Sequence, residues 1–437
     1  MNSKKFSILF LLLLPLGLGA QEPASFSLEE AIRYAYENNL NLKNAQIKVA
    51  DARQQIIERR AVGIPQLRGS VAYNYFIDIP TQIIPNFLDP TAGDIAVQFG
   101  TKNSLTAGLN LSIKAFDASY LVGLKAAKMY REYAALEMGT TRQSVKYQVV
   151  DAYLPALLIE ENVKILDKNI ENLDKLVTET RALFKEGFVE QLDVDRLELS
   201  LANLKTERES IARQKEVALN ALKFALGYPM DQPISVTEEL TALSPTASES
   251  DLTGAVNYTV RPEYTLVSKG EELNGLNVRL NRSGYIPTLD LFGSYQQSMY
   301  ANKLSDGKWF PTTIVGAQLN VPIFDGFGKK AKIERSKLDL EVVRNQKMDL
   351  ERAIDLEVQN ARATYLNAQD RLDSQKRNLE LAERIYQTTQ IKYKEGVGSS
   401  IEITQAEQSL YQTQQLYIQA LYDQVTARIS LDKALGR

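Results

Sequence analysis

The chain has 437 residues, a nearly balanced formal charge of −3, and neither cysteine nor histidine. Those absences exclude disulfides, a thiol for lipid attachment, histidine- or cysteine-based triads and the usual zinc sites. The balanced charge leaves no nucleic-acid footprint, no pair of carboxylates is marked for catalysis, and no cofactor is expected.

Taken in chain order, Lys4 and Lys5 precede an apolar run from Phe6 to about Leu18, closed by the small residues Gly17, Gly19 and Ala20. This reads as a secretory signal over residues 1–20, cleaved near Ala20. No segment of the chain reaches the roughly 20 continuous apolar residues that a spanning helix needs. Ser27-Leu28-Glu29-Glu30 predicts a capping box that opens an amphipathic helix running to about Arg60.

Period two then replaces the helical period. Leu67, Gly69, Val71, Tyr73 and Tyr75 alternate with small or polar residues, and Leu105, Ala107, Leu109, Leu111 and Ile113 do the same. Two strands with one apolar face are expected within a hairpin of about 66–115, joined by a loop of about 78–103. A helical hairpin of about 119–226 follows. Pro155 is expected to kink its long arm, Gly187 to end that arm, and a second arm to run from about 190. The segment 228–250, with Pro229, Pro233 and Pro245, reads as a connection.

The pattern then starts again. A helix is expected over about 252–284 and strands within a hairpin of about 288–324, where Phe292 breaks the polar face and 299–311 forms the loop. A helical hairpin of about 327–436 closes the chain, with Gly396 ending its long arm. The copies, 21–227 and 251–437, share Ile-Pro-x-Leu at Ile64 and Ile286. They also share Lys-Glu-Gly at Lys185 and Lys394, and Ala-Leu-Gly at Ala225 and Ala434. This is one long internal duplication. In the return arms, Val194, Leu197, Leu201 and Leu204, and likewise Ile403, Ala406 and Leu410, recur at spacings of three and four as a coiled-coil seam.

Lengths suggest a topology. Each long helix covers ~100 Å, each return arm ~55 Å, and each preceding helix ~50 Å at the helical rise. The strands are therefore expected to gather at one end and the glycine turns at the other. Four strands with an apolar face do not close a barrel alone, because an open edge leaves backbone groups unpaired in lipid. Three chains would supply twelve strands. Tyr75, Phe76, Tyr300, Trp309 and Phe310 near the loops, with Phe116 and Phe324 near the helices, fit two aromatic girdles flanking an apolar band. Packing of the apolar faces onto the chain's own helices is the competing reading, and would suit a secreted coiled-coil scaffold or adhesin without a pore. An enzyme reading has no residues to rest on.

The whole pattern resembles the TolC-like outer membrane efflux proteins. The residues that carry the likeness are Ser27-Leu28-Glu29-Glu30-Ala31 with Glu37-Asn38-Asn39, the paired Ile-Pro starts, Leu319-Asn320-Val321-Pro322-Ile323-Phe324-Asp325-Gly326, and the duplicated Gly and Ala-Leu-Gly frame. The resemblance implies a mainly α fold with a small β part. A long α-helical coiled-coil barrel in the periplasm would continue a twelve-stranded transmembrane β-barrel, built by a homotrimer in the outer membrane. It further implies passive conduction of substrates delivered by an inner-membrane pump and a periplasmic adaptor protein.

The same resemblance implies a periplasmic gate at the glycine turns, with Tyr393, Asp193, Glu402 and Gln405 at the matching positions. Gln405 replaces an acidic residue of the family and Gly398 replaces an arginine, so the latch differs from the family's. Gly187, Phe188, Val189, Gly396, Val397 and Gly398 would form the tip turns and contact the adaptor. Plainer roles fit the same residues. Tyr393 continues the seam of Leu372, Leu379 and Tyr386; Asp193 lies in a first helical turn, where a carboxylate suits the helix dipole. Glu402 stands three residues after Ser399, as a capping partner does. The turn apolars would also serve as a staple.

Overall fold

The capping box at Ser27 forms as its sequence requires: Ser27 Oγ accepts from the Glu30 backbone N–H, and the Glu30 carboxylate accepts from that of Ser27 at 2.9 Å. In this computed structural model, which describes residues 24–87, 93–244 and 246–437, it opens helix α1 (Leu28–Asn38). The expected signal segment lies outside the described residues. A short strand β1 (Ala24–Phe26) precedes α1, and α2 (Leu40–Ala61) follows it. One helix was expected here, but the chain breaks at Asn39. Asparagine competes with the backbone for hydrogen bonds, and Asn39 Nδ2 donates to the Ala225 carbonyl at 3.1 Å.

Strands β2 (Gln66–Tyr75), β3 (Thr81–Ile84), β4 (Ile95–Gln98) and β5 (Asn103–Phe116) come next. The β3–β4 pair lies inside a segment expected to be loop; Ile83, Ile84, Ile95 and Val97 supply its β-branched residues. Helix α3 (Ala118–Lys185) continues through Pro155, and α4 (Gln191–Leu226) ends on Gly227 in the left-handed region, φ 71°. Strand β6 (Ile234–Val236) pairs in parallel with β1. The helix expected over 252–284 is divided: α5 (Glu249–Thr253) stops at Gly254, and α6 (Pro262–Ser283) starts afresh with proline at its first position, where no donor is needed. Strands β7 (Thr288–Ala301) and β8 (Lys308–Asn320) precede α7 (Gly328–Lys394) and α8 (Ser400–Ala434).

The described residues fall into two compact units. One holds the segment ending at Asn39 with 145–246 and 366–428; the other holds 40–144, 247–365 and 429–437. In the first, α3 and α4 lie antiparallel. Glu160 meets Lys215 at 2.5 Å and Asp167 meets Arg208 at 2.9 Å, so numbers fall on one helix as they rise on the other. Helices α7 and α8 pair likewise through Arg371 and Asp423 at 3.3 Å. The seam residues Val194, Leu197, Leu201, Ile403, Ala406 and Leu410 are buried, as a knobs-into-holes strip demands.

The second unit contains an antiparallel sheet in the order β2-β5-β7-β8. Each hairpin pairs internally and β5 joins them to β7, leaving β2 and β8 as edges. Pro311 sits on the edge strand β8, where its missing N–H is tolerated. Alongside the sheet's sequence, α2 meets α3 through Lys48 and Glu137 at 3.2 Å. Helix α6 meets α7 through Glu271, which holds both Arg344 and Lys347. Those ion pairs keep the Glu271 carboxyl below its ordinary range, led by the Arg344 hydrogen bond.

Candidate functional site

Both long helices end in the same turn. After α3, Phe188 N–H reaches Leu183 O and Gly187 N–H reaches Phe184 O, each at 3.0 Å. After α7, Val397 N–H reaches Lys392 O at 3.0 Å and Gly396 N–H reaches Tyr393 O at 3.1 Å. These are Schellman closures, and they need a left-handed residue, which glycine supplies at φ 79° and 73°. Phe188 and Val397 stand 77% and 78% exposed, while Val189 and Gly398 are half-buried. Phe188 and Val397 are thus presented outward rather than folded against their own helix.

Just inside the turns, Tyr393 of α7 is buried, and its hydroxyl lies 3.2 Å from Thr180 Oγ1 of α3. Burial pushes the Tyr393 phenol up, and the charge of Asp193 adds to that. Asp193 of α4 does two things. Its Oδ2 accepts from the Glu190 backbone N–H at 3.1 Å, the capping role, while its Oδ1 accepts a hydrogen bond from Ser400 Oγ on α8. Arg196 Nη1 donates to the same Ser400 oxygen at 3.3 Å and lies 3.9 Å from Asp193.

Each tie therefore joins one helical hairpin to the other. Tyr393 and Asp193 do not bond to one another; each is held by a hydroxyl of the opposite hairpin. Where Gly398 carries no side chain to meet an aspartate, Arg196 approaches Asp193 from its own helix. Glu402 and Gln405 are both exposed on α8, and the Glu402 backbone N–H donates to Ser399 Oγ at 3.3 Å. Thr180, Arg196 and Ser400 escaped sequence reasoning, because nothing local marks a hydroxyl whose partner lies some 200 residues away.

In the sheet, register sorts the aromatics. Residues directly opposite share a face, so Tyr75, Tyr73, Leu109, Trp309 and Val315 lie in one row set, together with Leu67 and Leu319. Nearly all of these are exposed, Val315 at 82%. An irregularity between Lys114 and Phe116 shifts Phe116 onto this apolar face, opposite Leu289. Tyr300 and Phe310 fall on the other face, with ring centroids 6.4 Å apart, so the expected girdle is divided between faces. Phe76 lies just beyond β2 and Phe324 just beyond β8, both exposed. The second face carries Arg68, Ser112, Lys114, Asp290 and Gln318, which line a cavity of about 550 Å³, and Asn320. Phe292, the apolar residue in that polar row, lies over Gly316, where a Cβ would meet its ring at 2.5 Å.

Among the described residues no helix is long and apolar enough to cross a membrane, and no cluster of acidic residues is arranged to hold a metal ion. A family model for outer membrane efflux proteins matches residues 31–228 and 273–437. The chain belongs to that family.

Relatives and solved structures agree along its length. The probable efflux pump outer membrane protein TtgC of Pseudomonas putida is 22% identical over 421 residues, covering 94% of this chain and 83% of that protein. The proteases secretion protein PrtF of Dickeya chrysanthemi is 21% identical over 429 residues, covering 98% and 91%. The Campylobacter jejuni CmeC outer membrane channel superposes with a TM-score of 0.72 at 19% identity, covering 94% of this chain and 85% of that one. As a member of the outer membrane efflux family, the chain is an outer membrane channel protein of the efflux and secretion class; the family is one of channels rather than enzymes. The reading as a poreless scaffold falls with that membership.

Proposed function

We propose that three copies pool their sheets into one twelve-stranded barrel in outer membrane lipid, with the helices reaching into the periplasm and the glycine turns at the far tip. Substrates delivered by an inner-membrane pump through a periplasmic adaptor then pass through passively. The single observation that carries this reading is the sheet itself. Its edges β2 and β8 are open within the chain, while one face is apolar and exposed. Backbone groups at such edges cost several kcal/mol each if left unpaired in hydrocarbon, so copies of the chain must pair them. The opposite face, with Arg68, Lys114 and Asp290, would line a wet lumen.

At the tip, Tyr393 with Thr180, and Asp193 with Ser400 and Arg196, tie the two hairpins and would hold the gate closed. Glu402 and Gln405, exposed on α8, would face the passage there. Phe188 and Val397, exposed beside their turns, are the residues offered to the adaptor. The relatives' names include an efflux pump component and a protease-secretion protein, and this chain's cargo lies within that range. The test is single-channel conductance of the purified protein in planar bilayers, with its mass measured in mild detergent. A trimer of low conductance, raised several-fold by Tyr393→Phe with Asp193→Ala, is the expected result. A monomer without channel activity would refute the assembly, and an unchanged conductance in the variant would remove these two residues from the gate.

A further inference from the structure

Glu407 lies on α8, one turn beyond the buried Ile403, and is only 8% exposed. Its Oε2 is buried without a hydrogen-bond partner, and so is Thr404 Oγ1 one turn earlier on the same helix. No basic side chain pairs with it among the described residues. A carboxylate in such a place is costly as an anion and cheap as an acid.

The groups around it are acidic or phenolic. From α7 comes Tyr386, whose phenol is pushed up first by burial, then by Glu407 and then by Glu179 of α3. Glu179 is itself paired with Lys394 at 3.0 Å. From α4, Glu207 acts on Tyr411, one turn beyond Glu407. Tyr386 in turn packs against the cluster of Leu173, Leu176, Leu197, Ile403 and Tyr393. The unpartnered carboxyl thus lies in the seam that seats the Tyr393–Thr180 tie.

We propose that Glu407 is a proton-binding site that sets the tightness of the tip. As an acid it lets α7 and α8 close on Tyr386; as an anion it is driven towards water and loosens that seam. The idea deepens the gate reading above and rests on it for its effect on conduction. Burial alone pushes the Glu407 carboxyl from 4.5 up to about 7. The unfolded chain loses this proton near the ordinary value and the folded chain keeps it to about 7. The packing contribution is therefore whole at low pH and is lost as pH rises between those two points.

The test is amide hydrogen exchange of the full chain in lipid nanodiscs, followed over residues 383–410 from about pH 5.5 to about pH 8.5 and corrected for intrinsic rates. Wild-type protection is expected to fall about tenfold in a step that runs from the acid end of the range to about pH 7 and levels off above it. Glu407→Gln, neutral and of the same shape, should hold the low-pH protection throughout, and Glu407→Asp should retain a step at a shifted pH. A wild type without a step, a step that survives in Glu407→Gln, or a flat Glu407→Asp profile would each overturn the proposal. Conductance recorded on the same samples separates the two ideas: an exchange step with unchanged conductance keeps the proton site and removes the gate.

Discussion

The sheet and the helical tip solve opposite problems with the same residue types. In the helical unit, leucines and alanines at spacings of three and four are buried by the chain itself, and Leu197, Leu222 and Ile403 are fully enclosed. In the sheet, leucines and valines at spacing two are left outside, with Leu67, Leu319 and Val315 largely exposed. The polar groups reverse roles too. Around the tip they cross between hairpins, as Asp193 does to Ser400, whereas in the sheet they gather on one face, as Thr106 and Ser298 do at 3.2 Å. On the proposed assembly, the exposed apolar surface and the two open edges belong to a partner and to lipid, whereas the closed seam belongs to the chain.

The comparison breaks first where a buried seam side chain is cut. Leu197→Ala should cost about 2–5 kcal/mol, because it leaves a cavity in the cluster below Tyr393. Denaturant unfolding followed by far-ultraviolet circular dichroism checks this. In the sheet the sensitive change is the reverse one, adding charge rather than removing carbon. Val315→Arg should cost about 2–4 kcal/mol per chain if the residue lies at mid-membrane, read as the loss of heat-resistant trimer from outer membranes. On a surface facing water, the same change would be nearly silent.

A smaller effect is expected at the tie between hairpins. Ser400→Ala removes the hydroxyl shared by Asp193 and Arg196, and should cost about 1.5–3 kcal/mol, since one partner is charged. The loss should appear as faster hydrogen exchange in α4 and α8 near the turns, with the sheet unchanged. Smallest is Gly396→Ala. Nothing lies within 4 Å of an added Cβ there, so only the left-handed backbone at φ 73° is penalised, by about 1–2 kcal/mol. A thermal melt of the purified protein measures it.

Much of the fold was legible because its signals are local. The Ser27 capping box, the glycines that end α3 and α7, the period of two in four strands and the seam spacing of the return helices all act within a few residues. What escaped depends on register between distant segments. The irregularity beside Phe116 re-phases one strand. Tyr300 and Phe310 look like girdle members in sequence, yet pairing with Lys308 and Ser298 sets them on the polar face. The break at Asn39 needs the end of α4 to receive its side chain. At the tip, Tyr393 and Asp193 were reached through family likeness, whereas Thr180, Ser400 and Glu407 depend on which hairpin faces which. No periodicity encodes that.

The most direct test uses the absence of cysteine from the native sequence. Ala72→Cys on β2 combined with Thr312→Cys, Ile314→Cys or Gln318→Cys on β8, one pair at a time, places thiols on the two open edges. Within one chain these edges are separated by two strands, about 14 Å across the sheet, too far for a disulfide. Oxidation in intact outer membranes should give, for at least one pair, a covalent trimer that survives boiling and disappears on reduction. Monomers alone across the series, with thiols freely labelled in every pair, would contradict a barrel shared between copies.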